Sequence, residues 1–129
     1  MITGSTEPLW AALRSVHAAC TGVQGSAIVS ADGLVLASML PDTVDSDRFG
    51  AMCATVLALA SRMAQEVERG ALRQVIIEGE HGPVLLTQVR DVGVLAIAAS
   101  QEAPLGRLIL TARNIANALR KEEMAAVVA

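Results

Sequence analysis

Aromatic side chains are almost missing from this 129-residue chain: one Trp, one Phe and no Tyr, 2% in all. Bases and sugars are commonly held by stacking on aromatic rings, so the composition suits neither. Lysine is nearly missing too. Lys121 is the only one, the formal net charge is −3, and no basic patch stands out. Nucleic acid is therefore not an expected partner. A P-loop needs a glycine-rich turn followed by lysine, and the single lysine lies near the C-terminus, so the chain alone is not expected to hydrolyse nucleotides.

Cysteine is limited to Cys20 and Cys53. Both fall in predicted helices among apolar neighbours and read as buried free thiols rather than a disulfide. With His17 and His81 they show no metal-ligand spacing. His17 reads as a packed or half-exposed helix residue, and His81 as a solvated turn residue. No Gly-x-Ser-x-Gly elbow marks a nucleophile. Asp42, Asp45 and Asp47 cluster, but carboxylates near a helix N-terminus already favour the helix dipole. No catalytic residue, metal or cofactor is expected. No apolar run reaches the length of a membrane span. Residues 1–8 lack the basic start and apolar stretch of a signal peptide. The expected location is cytoplasmic, without membrane insertion.

What is present is aliphatic. Hydrophobic residues make up 53% and mean hydropathy is +0.49, carried by Ala, Val, Leu, Ile and Met. The length supports one domain over residues 1–129 with one core, residues 1–6 and 122–129 being expected to fray.

Leu9, Leu13, Val16 and Cys20 recur at helical spacing and predict a helix over residues 8–20, ended by Gly22. Strands over 26–30 and 34–38 flank Ala31-Asp32-Gly33, where Asp-Gly signals a tight hairpin. A long helix is predicted over 45–69, with Asp45 and Ser46 offering cap oxygens and Gly70 a left-handed stop. Strands follow over 72–78, 84–89 and 92–99, the last strongly apolar and expected to be central. Arg90-Asp91 is read as the turn before it. Pro104 sits near the start of a last helix, whose predicted buried stripe is Leu105, Leu108, Ile109, Ala112, Ile115, Ala116 and Leu119. Hairpin-length connections imply an antiparallel sheet. The expected fold class is α+β: a five-stranded antiparallel sheet with helices on both faces, in the order αββαβββα.

The central helix carries the main functional signal. No charged residue stands between Arg48 and Arg62. At 100° per residue, Phe49, Cys53, Val56, Ala60, Met63 and Val67 form one stripe, flanked by Met52, Leu57, Leu59 and Ala64, and this side is expected to face the sheet. Gly50, Ala51, Ala54, Ala58 and Ser61 then form the opposite side, with Gly50, Ala54 and Ala58 spaced by four. Small residues at that spacing let two helix backbones approach closely. Alanine's own helix preference is the plainer account of the same pattern. Arg48, Thr55, Arg62, Glu66 and Arg69 make a polar strip alongside. The strand over 72–78 has no Pro or Gly, so at a sheet edge it is a template for pairing with another chain, unless Arg73 and Glu78 blunt it. A bare helix face and an open edge fit a two-fold dimer.

The segments Asp45-Ser46-Asp47-Arg48-Phe49-Gly50-Ala51-Met52, Glu68-Arg69-Gly70, Leu72-Arg73-Gln74-Val75-Ile76-Ile77-Glu78-Gly79 and Gly82-Pro83-Val84-Leu85-Leu86 resemble the Roadblock/LC7 domain family in its bacterial form. Gly25-Ser26-Ala27-Ile28-Val29 followed by Asp32-Gly33-Leu34-Val35-Leu36 resembles the family's first hairpin. The resemblance spans residues 9–119. It implies the roadblock (profilin-like) fold and a homodimer with the second helices side by side on a joined sheet. It also implies a non-catalytic adaptor that regulates a Ras-like small GTPase in bacterial signalling. The expected dimer contacts are Gly50, Ala54, Leu57, Ala58, Ser61, Gln74, Ile76 and Glu78; the expected GTPase-docking residues are Arg48, Thr55, Arg62, Glu66 and Arg69. A small-molecule-sensing or scaffold module without a GTPase partner is the alternative.

Overall fold

The computed structural model describes residues 6–90 and 93–119. The elements follow in the order α1 (Glu7–Ala19), β1 (Val23–Ser30), β2 (Val35–Met39), α2 (Ser46–Glu66), β3 (Gln74–Gly79), β4 (Gly82–Val89), β5 (Gly93–Ala99) and α3 (Leu105–Ala118). This is the α+β class and the αββαβββα order that the periodicities predict. Asp91, Val92 and the two ends of the chain, 1–5 and 120–129, lie outside the described residues, and with them the Arg90-Asp91 turn and the fraying expected at both ends.

The five strands are antiparallel throughout and lie in the order β2-β1-β5-β4-β3. The apolar strand β5 is central, as its unbroken Val-Leu-Ala-Ile run predicts: both of its faces are covered. It pairs with β1 on one side and β4 on the other. The β1–β2 hairpin turns at Ala31-Asp32-Gly33. Gly33 takes φ +90°, which a side chain would strain, and its N–H donates to Ser30 O at 3.0 Å.

Strand alternation splits the core in two. Ile28, Leu85, Leu95 and Ile97 point to one face and bury Leu9, Leu13 and Val16 of α1 with Leu108, Ala112 and Ala116 of α3. Ala27, Val29, Leu86, Val94 and Ala96 point to the other, which, among the described helices, α2 covers through Cys53 and Leu57. Two helices on one side and one on the other leave α2 with a large free circumference. Among the described residues no helix is long and apolar enough to cross a membrane.

Candidate partner-binding surface

The outer face of α2 and the free edge of β3 are two surfaces that the fold leaves uncovered among the described residues. Helix α2 starts where an acceptor oxygen meets its first turn: Asp45 is the N-cap, and its carboxylate accepts from Arg48 N at 3.2 Å. It ends at Glu66, earlier than Gly70 would place it. Arg69 N donates to Ala64 O at 2.7 Å and Glu68 N to Gln65 O at 3.0 Å, the paired bonds of a Schellman turn. The left-handed residue in that turn is Glu68, at φ 56°, and not the glycine two residues on. Arg69 thus lies beyond the helix, with its Nε donating to Val67 O at 3.1 Å.

The helix is also rotated from its predicted phase by roughly one-fifth of a turn. The residues buried against the sheet are Gly50, Cys53 and Leu57. Ala54 and Ser61 are half-buried. Of the expected dimer contacts, Gly50 is turned inward, Ala54 and Ser61 are partly so, and Leu57 is buried on the sheet side where the helical phase also set it. The reason is a close approach within the chain itself. A β-carbon on Gly50 would stand 2.7 Å from Val35 Cγ2 and 2.8 Å from Gly33 O. The small residues do admit a neighbour, but that neighbour is the β1–β2 hairpin.

The larger side chains go the other way. Met52 is 52% exposed, Leu59 59%, Met63 64% and Val67 59%, although the predicted phase set them beside the sheet. Val56 and Phe49 stay half-buried at the margin of the core. Ala58 is exposed as expected, and so are Arg48, Thr55, Arg62, Glu66 and Arg69. The expected polar strip is thus outward, interleaved with an apolar stripe of two methionines and a leucine that was expected to be hidden. The signal for the true phase was in the sequence: charges centre on the outer face, and Arg48, Thr55, Arg62 and Glu66 lie within a narrow arc of one another. Thr55 Oγ1 donates back to Ala51 O at 2.8 Å, so that side chain lies along its own helix.

Strand β3 is the sheet edge, as its pattern requires for pairing. Gln88 N donates to Arg73 O at 3.0 Å. Antiparallel alternation then turns the N–H and C=O groups of Gln74, Ile76 and Glu78 away from β4, along the open edge. Ile76 and Ile77 are both substantially exposed. Gln74 is half-buried, and its Oε1 has no hydrogen-bond partner.

Groups with chemical potential elsewhere are held in structural contacts. His17 Nε2 is 2.9 Å from Oγ of the buried Ser26, and burial holds the imidazole below its ordinary pKa of 6.5. Both cysteines are free and buried. Burial pushes the Cys53 thiol up to about 11, far from a reactive thiolate. Cys20 Sγ lies 3.3 Å from Thr111 Oγ1, tying the end of α1 to α3.

A sequence profile described as Roadblock/LC7 domain matches residues 12–99. An uncharacterised protein of Methanocaldococcus jannaschii is 37% identical over 99 residues, covering 77% of this chain and 86% of that protein. Among solved structures, Myxococcus xanthus MglB superposes with a TM-score of 0.85 at 16% identity, over 100% of this chain and 97% of that one. A Roadblock/LC7 domain from Streptomyces avermitilis superposes with a TM-score of 0.79 at 20% identity, over 86% of this chain and 93% of that one. At such identities the structural likeness is one of fold.

Proposed function

The chain belongs to the Roadblock/LC7 domain family, and from that premise we propose that it is a cytoplasmic, non-catalytic homodimer that docks and regulates a Ras-like small GTPase. One observation carries the reading. Met52, Leu59 and Met63 form an exposed apolar stripe on α2, set among Arg48, Arg62 and Glu66. Apolar anchors with flexible methionines and arginines are the composition of a protein interface, not of a solvated helix. The open backbone edge at Gln74, Ile76 and Glu78 supplies the second half. Two copies joined there would continue one sheet across a two-fold axis, with their α2 helices on a common face. In that assembly the helix-side dimer contacts fall to Ala58 and to the exposed stripe, in place of Gly50, Ala54, Leu57 and Ser61.

Arg48, Thr55, Arg62 and Glu66 remain the docking residues, with Arg69 just past the helix end. An effect on hydrolysis would come from ordering the partner's switch loops or from an arginine such as Arg48 or Arg62 lent to the developing phosphate charge.

Light scattering at micromolar concentration tests the assembly: a dimer mass is expected, and a monomer mass overturns it. A candidate GTPase encoded beside this chain should be retained on the immobilised protein and released by Arg62→Glu. Retention that is indifferent to Arg48, Arg62 and Glu66 substitutions rejects this docking face.

A further inference from the structure

Beside α3, at one end of the sheet, lies an open cavity of about 670 Å³, lined by Arg73, Thr87, Gln88, Arg90, Arg113 and Asn117. It sits where the start of β3 and the end of β4 meet the last turns of α3. Among the described residues no Asp or Glu lines it. Among the described residues, none of its three arginines makes an ion pair or a side-chain hydrogen bond. Guanidinium groups that line one cavity with no carboxylate among the described residues repel one another.

Thr87 is the second, independent observation. It is 3% exposed and lines this cavity, and its Oγ1 has no hydrogen-bond partner. Across the strand pair its neighbour Gln74 has an orphaned Oε1 as well. A buried hydroxyl without a partner is costly, and native structures keep few of them. Valine is nearly the same shape and would fill the site without that cost. The hydroxyl, the Asn117 amide and the guanidinium groups that line the cavity are all donors.

We infer that this cavity is an oxyanion site that takes a phosphate monoester of small-molecule size. Three guanidiniums suit a doubly charged group with several acceptor oxygens better than a single carboxylate. The volume falls in the ordinary range for small-molecule sites, so there is room for an organic body beside the phosphate. Leu72 and Ala116 offer that body an apolar wall. The site lies away from the outer face of α2 and does not depend on the adaptor role. A protein that docks a partner on one face and holds a phosphorylated metabolite on the other could couple the two.

The test is an amide ¹H–¹⁵N titration of the full chain at low salt with inorganic phosphate and with glycerol 3-phosphate, glycerol serving as the neutral control. Saturable shifts are expected at Arg73, Thr87, Gln88 and Asn117, with glycerol silent. Arg73→Gln and Arg113→Gln, both at exposed positions, should each weaken binding about tenfold. Thr87→Val should weaken it without any change of charge. Vesicles of phosphatidylcholine with phosphatidic acid present the same headgroup on a lipid. Sedimentation with them that is lost in Arg113→Gln assigns the phosphate to a lipid, and no sedimentation assigns it to a soluble ester. Shifts that never saturate, or that persist equally in both arginine variants, overturn the site. So does a wild-type chain whose amides stay silent to both phosphate and glycerol 3-phosphate.

Discussion

Gly50 and Val35 are in such close register that a β-carbon on the glycine would stand 2.7 Å from Val35 Cγ2. This contact sets how near α2 lies to the first hairpin, and it fixes the rotation of the helix. Gly50→Ala should therefore destabilise the fold by about 1–3 kcal/mol, although alanine is the better helix former by about 1 kcal/mol. Gly106 is the internal control. It lies in the first turn of α3 with open space around the position of a β-carbon. Gly106→Ala should stabilise by about 0.5–1 kcal/mol. Thermal melting of the two variants should move in opposite directions; equal shifts would contradict the packing.

Glu68 occupies the left-handed position of the Schellman turn at φ 56°. A side chain there costs about 1–2 kcal/mol that glycine avoids. Glu68→Gly should raise the melting temperature by a few degrees, offset in part by the greater freedom of the unfolded chain. A lowered melting temperature would mean that the carboxylate makes a contact worth more than the strain.

Leu57 and Leu59 are two residues apart on α2 and should behave as different kinds of residue. Leu57 is 8% exposed and packs into the α2 side of the core. Leu57→Ala should cost about 2–4 kcal/mol of folding stability. Leu59, 59% exposed, touches little within its own chain. Leu59→Glu should leave the circular dichroism spectrum native while weakening self-association. Ala58→Glu should act in the same direction, whereas Val56→Glu, at the core margin, should damage the fold. An unchanged dimer in both Leu59→Glu and Ala58→Glu would place the self-contact elsewhere.

His17 gives the stability a pH dependence of predictable sign. Burial holds its folded-state pKa below 6.5, so below that pH the unfolded chain takes up a proton that the folded chain resists. The contribution of the neutral ring is fully present above pH 6.5 and is lost as the pH falls through the lowered folded value. Denaturant midpoints should decline on acidification, and His17→Gln should flatten that decline between the two values. An identical slope in the variant would assign the titration to another group.

The order of elements and the central place of β5 could be read from the sequence because both follow from local signals. Asp32-Gly33 turns a hairpin, and an unbroken apolar strand needs cover on both faces. The phase of α2 could not be read so directly. Following the stripe of larger apolar residues at 100° per residue put Met63 and Val67 inward and Gly50 outward. The structure inverts this because Val35 and the backbone at Gly33 leave no room for anything larger than glycine. That constraint arises between segments distant in sequence, and within the helix only the polar arc of Arg48, Thr55, Arg62 and Glu66 marked the phase. The end of α2 was missed for a related reason: a glycine at Gly70 advertises a stop, while Glu68 makes the turn under the demand of the loop that follows. The arginine-lined cavity was invisible for the same reason, since Arg73, Arg90 and Arg113 come from three separate elements or their ends.

The position of β5 has a consequence for the chain as it is made. It enters the sheet between β1 and β4, so the pairing of Ser26 with Ile97 joins the two ends of the domain. A nascent chain can close the β1–β2 hairpin early, and later the β3–β4 hairpin, but the two halves share no strand pairing until β5 has emerged. Throughout that interval β1 and β4 present unpaired edges in addition to β2 and β3. The time of greatest exposure to wrong partners is therefore before the last strand docks, when a neighbouring nascent copy offers the same open edges.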